Sequence, residues 1–309
     1  MKINKEIILG SRNSLLARTQ TMLVIAQLKK FGIDNLKTNF IQSTGDILRG
    51  NVFKAQGGKG LFAKEIDDLT INGEIDLGIH SAKDIPGHLH SDLKIGAYLE
   101  REDVRDVLIT KNHNIKKISQ LPKNCVLGSS SPRRTCYINY YRPDINVIPI
   151  RGNIDSRIKK LQSTQLNALI IAAAGVNRLA NDYSYLSIFP IPLSELLPSP
   201  GQGAIAIVYK KKNKQCEEIC KIINNKITET ALLTERSLIK QINGDCFTPI
   251  AALAEINKGN ILLKARLFSN NSNFFSDKCL QGTVSDAKKI GIKCANNLII
   301  DLLKKKNET

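Results

Sequence analysis

The segment Ile75–Pro86 ends in side chains that can do chemistry. Its first half is apolar or small and predicts a buried strand, whereas its second half, HSAKDIP, is polar and stops at a proline. Ligands of open α/β sheets bind beyond the carboxyl ends of the strands, where this polar half is expected to lie. A carboxylate at Asp84 can stabilise a positive charge or move a proton. The same residue types also cap ordinary turns, so the segment alone leaves both interpretations open.

Arginines follow the ends of three predicted strands in the middle of the chain. After the first of these strands, Ser131 is expected to cap a helix and Pro132 to be its first residue, which brings free amides beside arginines and predicts an anion site. Arginine binds carboxylates through two parallel hydrogen bonds, so the repeated placement predicts a substrate with many carboxylates. Unrelated surface arginines are the weaker alternative. The arginines concerned are Arg133, Arg134, Arg151, Arg157 and Arg178.

The cysteines and histidines argue against a metal site and leave open whether one thiol is chemically special. The chain has seven cysteines but no CxxC pair, and only four histidines, which makes a structural zinc site a poor hypothesis. Cys246 lies in a glycine-containing loop between a predicted helix and a predicted strand, so we expect it to be exposed and reactive. Cys136, Cys279 and Cys294 are expected to be inert small hydrophobic residues.

A net charge of +17 indicates acidic partners of some kind. Nucleic acid is one alternative, but the chain has no tryptophan, 5% aromatic residues and no recognisable nucleic-acid-binding motif. Much of the charge is lysine in short runs that are expected to be solvated. No apolar run approaches the roughly 18 residues of a membrane span, and the N-terminus does not resemble a signal peptide, so a cytoplasmic protein is expected.

Hydrophobic periodicity predicts how these residues are positioned. A strand at Glu6–Gly10, a polar turn with Arg12 and Ser14, a helix at Leu15–Phe31 and a strand at Lys37–Gln42 form a βαβ unit. The glycine-rich loop that follows is interpreted as a mobile flap carrying Lys59 and Phe62, with a plain surface loop as the alternative.

Two segments are interpreted as crossovers between α/β lobes. They are the charge run Arg101–Asp106, of a kind that usually forms solvated salt bridges, and the proline-glycine segment Leu196–Gly203. The expected fold is therefore two periplasmic-binding-protein-like α/β lobes with a hinged cleft, followed by a smaller C-terminal α+β domain. Domain 1 is expected at residues 1–100 and 201–222, domain 2 at 105–197 and domain 3 at 226–309.

The third domain is predicted from a change of pattern after residue 213. Helices are expected near 214–225 and 228–242, and a final helix at about 286–303. Strands are expected at Ile250–Ile256 and Ile261–Phe268, with a third near Gly282–Val284.

With these motifs in place, the chain resembles the porphobilinogen deaminase family, also called hydroxymethylbilane synthase, over nearly its whole length. The matching segments occur in order and at compatible distances: GGKGLF at 57–62, HSAKDIP at 80–86, REDVRD at 101–106, GSSSPRR at 128–134, RGNIDSR at 151–157, AAAGVNRL at 172–179, PGQGA at 200–204 and GDC at 244–246. Three positions depart from the family pattern: Ala82 replaces a common methionine, Pro132 a common leucine and Asp245 a common glycine.

The resemblance implies a transferase that joins four porphobilinogen molecules head to tail with loss of ammonia. The product is the linear tetrapyrrole hydroxymethylbilane, which is passed to uroporphyrinogen-III synthase. The growing tetrapyrrole is built on a dipyrromethane cofactor, which is held by a thioether to Cys246. The resemblance makes Asp84 the catalytic residue. The resemblance implies a cytoplasmic monomer that works without metal, nucleic acid or membrane. It places cofactor contacts on Lys83, Asp84, Ser129, Arg133 and Arg134, and substrate contacts on Arg12, Ser14, Lys59, Phe62, Arg151, Arg157, Arg178 and Gln202.

A non-catalytic anion-binding protein of the same two-lobe type is the main alternative. Such a protein would need neither Cys246 nor a third domain, and the sequence has both. The sequence therefore favours the enzyme.

Overall fold

A computed structural model describes residues 5–42, 63–245, 247–269 and 272–308. The chain divides into two compact units. Unit 1 comprises Met1–Glu102 and Ala204–Glu229, and unit 2 comprises Asp103–Gly203 and Thr230–Thr309. The unit boundaries at Glu102/Asp103 and Gly203/Ala204 fall at the two segments that the sequence indicates as crossovers. The finer division into three domains stays a prediction.

The described residues form strands and helices that alternate along most of the chain. The strands are β1 Ile7–Arg12, β2 Leu36–Ile41, β3 Leu77–Ser81, β4 Leu93–Tyr98, β5 Asp106–Thr110, β6 Val126–Gly128, β7 Asn146–Ile148, β8 Ala168–Ala172, β9 Ser187–Pro190, β10 Ile205–Lys210, β11 Ile250–Asn257, β12 Asn260–Phe268 and β13 Phe275–Thr283. The helices are α1 Leu15–Lys30, α2 Lys64–Asn72, α3 Pro132–Tyr141, α4 Ile154–Ser163, α5 Ala173–Leu179, α6 Lys214–Ile223, α7 Lys226–Ile242 and α8 Ala287–Asn307.

Unit 1 is built on a mixed sheet in the order β2-β1-β3-β10-β4. β1 runs parallel to β2 and β3, and β10 runs antiparallel to β3 and β4. Leu9, Leu77 and Ile207 from the sheet are fully or almost fully buried, in one core with Leu28 of α1 and Ile219 of α6. The predicted βαβ start is confirmed, except that β1 continues through Ser11 and Arg12 instead of turning after Gly10.

Unit 2 contains two further sheets. One is mixed, in the order β7-β6-β8-β5-β9, and the other is antiparallel, in the order β11-β12-β13. Helix α8 packs on β12 and β13. The fold class predicted from the sequence, two mixed α/β sheets followed by a smaller α+β part, is therefore confirmed.

The third strand of the C-terminal sheet is where the sequence prediction was wrong. It was expected near Gly282–Val284, but β13 begins at Phe275, and Val284 belongs to a short 3₁₀ turn. In the described part of the chain β13 is an edge strand paired with β12, and most of its side chains are exposed or half-buried. A strand that buries so little has weak hydrophobic periodicity, which explains the error.

Candidate functional site

Asp84 lies directly beyond a buried strand of unit 1. Residues Leu77–His80 of β3 are buried, and a 3₁₀ turn at Ala82–Asp84 follows at once. The Asp84 side chain is half-buried and that of Lys83 is exposed. Ser81 is held from α1, because Gln20 Nε2 donates to its Oγ at 3.0 Å. The predicted change from buried strand to polar turn is thus what the structure shows.

Arg12 reaches the same edge of this sheet. β1 and β3 are parallel, with Gly10 opposite Gly78, and Arg12 is the last residue of β1, as Ser81 is of β3. Ser14, two residues further on, caps α1, and its Oγ accepts from Ala17 N at 3.3 Å. Two of the predicted site segments therefore converge at one sheet edge because parallel strands end together.

The centre of polar interactions in unit 2 is Asp106, the first residue of β5. Its carboxylate is completely buried and bridges two arginines: Arg133 Nη2 lies 2.8 Å from Oδ2, and Arg134 Nη2 lies 2.6 Å from Oδ1. Gln202 Nε2 also donates to Oδ1 at 2.9 Å. Burial by itself would raise the pKa of Asp106, but the two guanidinium charges hold that pKa well below its usual range.

This network corrects the interpretation of the charge run 101–106. Asp103 and Arg105 do form a partly exposed ion pair, 2.7 Å between Oδ2 and Nη2, as expected for solvated charges. Asp106 instead forms buried ion pairs, because it is the first residue of a strand in which every residue is buried. The signal that could have distinguished it is its place directly before the apolar run Val107–Ile109.

Arg133 and Arg134 are largely engaged by the protein itself. Both are buried at the start of α3, and besides Asp106 they donate to backbone oxygens, Arg133 Nη1 to Leu197 O at 2.7 Å and Arg134 Nη1 to Ile170 O at 3.0 Å. Within the described part of the chain, the buried Nε of Arg133 has no hydrogen-bond partner. That N–H is available for an acceptor that the protein does not supply.

Ser129 and Ser131 shape the entry to α3. Ser131 occupies the cap position and Pro132 the first turn, as predicted, but the Ser131 side chain makes no capping hydrogen bond. Instead Ser129, which is buried, accepts from Ser131 N at 3.3 Å through its Oγ. The backbone N–H of the cap residue is therefore bound by the Ser129 side chain, and the Ser131 side chain does not cap the first turn.

The remaining arginines lie near turns that glycines make possible. Arg151 is exposed, and Arg157 Nε donates to Gly152 O at 2.8 Å. Gly152 has φ +111° and a Cβ there would lie 2.9 Å from Ser156 Cβ, so only glycine suits this turn. Arg178 Nη2 donates to Gly203 O at 2.6 Å, which connects α5 to the second crossover.

Three predicted site residues, Lys59, Phe62 and Cys246, lie outside the described residues. The neighbours of Cys246 are described: Asp245 Oδ1 accepts from Phe247 N at 2.9 Å and from Thr248 N at 3.1 Å. Asp245, which replaces a common glycine of the family pattern, thus closes a turn with its side chain.

The other cysteines differ from one another in accessibility. Cys136 and Cys294 are buried as expected, and burial raises the pKa of the Cys294 thiol to about 12. Cys279 is exposed, so its interpretation as a buried hydrophobic residue was wrong. It alternates to the solvent side of the edge strand β13. Among the described residues there is no cluster of His, Cys, Asp and Glu able to hold a metal ion.

Comparison with known proteins gives the family. Residues 7–218 match the family model "Porphobilinogen deaminase, dipyromethane cofactor binding domain", and residues 230–299 match "Porphobilinogen deaminase, C-terminal domain". The porphobilinogen deaminase of Clostridium novyi is 37% identical over 96% of this chain and 99% of that protein. The porphobilinogen deaminase of Rickettsia typhi is 39% identical over 94% of this chain and 97% of that protein. The chain belongs to the porphobilinogen deaminase family.

Membership of the porphobilinogen deaminase family confirms the predicted activity. The chain is an enzyme of hydroxymethylbilane synthesis, and its N-terminal two thirds contain the dipyrromethane cofactor binding domain. In the described residues no helix has both the length and the apolar character that a membrane span requires.

Solved structures of binding proteins show distant likenesses. A Streptococcus pneumoniae amino acid ABC transporter substrate-binding protein, AbpA, bound to L-arginine is 12% identical, with a TM-score of 0.40 over 71% of this chain and 86% of that one. The Bordetella pertussis BvgS periplasmic VFT2 domain is 13% identical, with a TM-score of 0.44 over 75% of this chain and 92% of that one.

Proposed function

We propose that Asp84 is the catalytic carboxylate of this porphobilinogen deaminase. The observation that carries the proposal is its placement, half-buried in a 3₁₀ turn directly beyond a buried strand. When ammonia leaves porphobilinogen, the positive charge is shared with the pyrrole N–H. A fixed carboxylate can accept a hydrogen bond from that N–H and stabilise the cation as it forms. The same carboxylate can help to remove the surplus proton after the new carbon–carbon bond has formed.

The residues proposed to hold the dipyrromethane cofactor are Cys246 through a thioether, together with Lys83, Asp84, Ser129, Arg133 and Arg134. When bound, the cofactor supplies the nucleophilic pyrrole carbon on which the product is built. Its carboxylates fit the donor set of unit 2, where Arg133 Nε is a buried N–H without a partner in the described residues. The cluster of Arg133, Arg134 and Asp106 has a net positive charge, because the single carboxylate of Asp106 balances only one of the two guanidinium charges.

The residues proposed to contact the substrate are Arg12, Ser14, Arg151, Arg157, Arg178, Gln202, Lys59 and Phe62, and the arginines among them are proposed to bind its carboxylates. Porphobilinogen carries an acetate and a propionate, and arginine pairs with such groups through charge-assisted hydrogen bonds. The amide of Gln202 donates to Asp106 Oδ1 and to Val104 O at 2.8 Å. These contacts favour a supporting role, in which Gln202 helps to hold Arg133 and Arg134 through Asp106.

The role of Asp84 is tested by replacing its charge and keeping its shape. Asp84→Asn should retain the fold and the bound cofactor but lose roughly 10²–10³-fold in turnover, the usual cost of removing one electrostatic stabiliser. Asp92→Asn is the matched control, because Asp92 is an exposed aspartate of the same unit. Ammonia release and hydroxymethylbilane formation are measured together. Wild-type turnover in the Asp84 variant would contradict the assignment.

Cofactor attachment is tested by intact-mass measurement before and after incubation with porphobilinogen. The wild-type chain should be heavier by one dipyrromethane, located on the peptide with Cys246, and should gain further pyrrole units with substrate. Cys246→Ser should lack the added mass, whereas Cys279→Ser, which changes an exposed cysteine, should keep it. An unmodified wild-type mass that substrate never shifts would contradict attachment at this loop.

We further propose that the enzyme acts as a cytoplasmic monomer and that uroporphyrinogen-III synthase consumes its product. Family membership supports these statements. Size-exclusion chromatography with light scattering checks the first, and a coupled assay with that synthase checks the second.

A further inference from the structure

Two buried titratable side chains face each other behind the strand that leads to Asp84. His80 lies on β3 and Asp67 on α2, with His80 Nε2 3.4 Å from Asp67 Oδ1. The His80 side chain is 3% exposed and that of Asp67 is 15% exposed. Neither of these two atoms has a hydrogen-bond partner of good geometry in the described residues.

Among the described residues, the packing around Asp67 Oδ1 and His80 Nε2 places these two atoms beside each other. Gly78 brings α2 close to β3, since a Cβ there would lie 3.0 Å from Ile66 and 3.1 Å from His80 Nε2. The nearby hydroxyl of Thr70 donates to Ile66 O within α2 at 2.7 Å, so its hydrogen is not available to His80.

Charges on the surrounding elements favour a neutral pair. Burial, followed by the charge of Arg12 on β1, lowers the pKa of His80 to about 4. Burial, followed by the negative charge of Asp68, raises the pKa of Asp67 to about 7. Glu65 is a further acidic residue of α2. At pH 6 the carboxyl group therefore carries the proton and the imidazole is neutral.

We propose that Asp67 and His80 share a single proton, and that this pair is a positioning contact that holds α2 on the strand end carrying Asp84. The protonated carboxyl group donates to Nε2, which satisfies both buried atoms without burying a net charge. Neither residue is among those proposed to contact the substrate or the cofactor. The positioning role rests on the proposed function of Asp84, whereas proton sharing does not.

The proton count gives the pair an unusual pH signature. Between about pH 4 and 6.5, unfolding lets His80 take up a proton and Asp67 release one, so the two effects on stability cancel in the wild type. Asp67→Asn leaves only the histidine effect, so the folding constant should rise with pH, by up to about tenfold per pH unit. His80→Leu leaves only the carboxyl effect, so the folding constant should fall with pH by up to about the same factor.

The experiment is urea unfolding of the full-length holoenzyme at several pH values from 4 to 7. The single variants should show slopes of opposite sign relative to wild type, and the double variant should run parallel to wild type. His90→Gln is the matched control, because His90 and Asp92 form an exposed pair, 3.9 Å from Nδ1 to Oδ2, and it should leave the slope unchanged. Single variants with the wild-type slope would overturn proton sharing.

Two further measurements complete the test. Ring ¹⁵N chemical shifts of the wild-type histidines need no variant, and His80 should stay neutral from pH 7 down to about pH 5, because burial opposes its charge. Titration of His80 near 6.5 would overturn the proposal even if a variant failed to fold.

At pH 6 each single variant should lower kcat more than it changes KM for porphobilinogen. Wild-type kcat would overturn the positioning role alone, and Asp84→Asn tests Asp84 separately.

Discussion

At the scale of the residue, Asp106 shows how one buried carboxylate fixes two arginines. It contacts Arg133 and Arg134 and is itself contacted by Gln202, so both guanidinium groups are oriented before any ligand binds. A guanidinium held in this way loses less conformational freedom when it binds a carboxylate. The proposed cofactor contacts of Arg133 and Arg134 thus depend on Asp106, which is not itself one of those contacts.

Replacing Asp106 by asparagine should be strongly destabilising. The change leaves two buried guanidinium groups with no carboxylate, and breaking a buried ion pair costs about 3–5 kcal/mol of unfolding free energy. The wild-type pKa of Asp106 is lowered, so its contribution is present above about pH 4, its ordinary range, and is lost as the pH falls further. The difference between variant and wild type should therefore shrink below about pH 4. Urea unfolding at pH 7 and pH 3 measures both effects.

Asp144→Asn is the matched control for this prediction. Asp144 also forms an ion pair with an arginine, 2.6 Å from Arg142 Nη2, but the side chains of Arg142 and Asp144 are 19% and 30% exposed, whereas Asp106 is completely buried. Asp144→Asn should therefore lower the free energy of unfolding far less than Asp106→Asn, because ion pairs open to solvent contribute little to stability. Equal losses in the two variants would contradict the special role of Asp106.

At the scale of the element, Glu235 connects three segments of unit 2. It is fully buried on α7, its Oε2 accepts from Gly201 N at 2.7 Å and its Oε1 accepts from Ala254 N at 2.9 Å. One side chain thus holds the second crossover and β11 to the helix. The sequence motif PGQG gave no indication of this carboxylate, because its partner lies far along the chain.

Glu235→Gln should lower stability by about 1–3 kcal/mol, the cost of one unsatisfied buried donor. Glutamine keeps one acceptor oxygen, but an amide nitrogen replaces the other. That nitrogen is a donor and would face a backbone N–H. Thermal unfolding at neutral pH measures the loss. Glu218→Gln changes an exposed glutamate in a surface pair with Lys221 and should have little effect. If both variants were equally stable, the bridging role would be wrong.

The elements that could be predicted from sequence are those with strong periodicity or clear end signals. α1 extends over Leu15–Lys30, close to the range that helical periodicity predicts, and it ends before Gly32, a residue type that commonly follows a helix. Strand β9 gave no signal because it has four residues. The edge strand β13 was misplaced because its pattern is mostly polar.

At the scale of the whole molecule, the two α/β sheets and the C-terminal sheet could be predicted, and so could the position of the proposed site segments at strand ends. Asp84 and the arginines stand next to strand ends, where local pattern is informative. The pairs Asp67–His80 and Asp106–Arg133 could not be predicted, because each joins residues from separate segments that only the folded chain brings together. Long-range pairing of charges leaves no trace in a single sequence.

The net charge of +17 also belongs to the whole molecule, and it predicts incidental binding to nucleic acid. Binding to a 20-base-pair duplex should be detectable in about 50 mM salt and should weaken by roughly 10³–10⁵-fold by about 200 mM, as for contacts made only to phosphates. Fluorescence anisotropy with two unrelated duplexes should give equal affinities.

The variant with Lys288, Lys304 and Lys306 changed to glutamate alters exposed residues of α8, and it should bind DNA more weakly yet form hydroxymethylbilane at the wild-type rate. Sequence-selective binding that persists at the higher salt concentration would instead indicate a second function for this enzyme, one that the lysines serve directly.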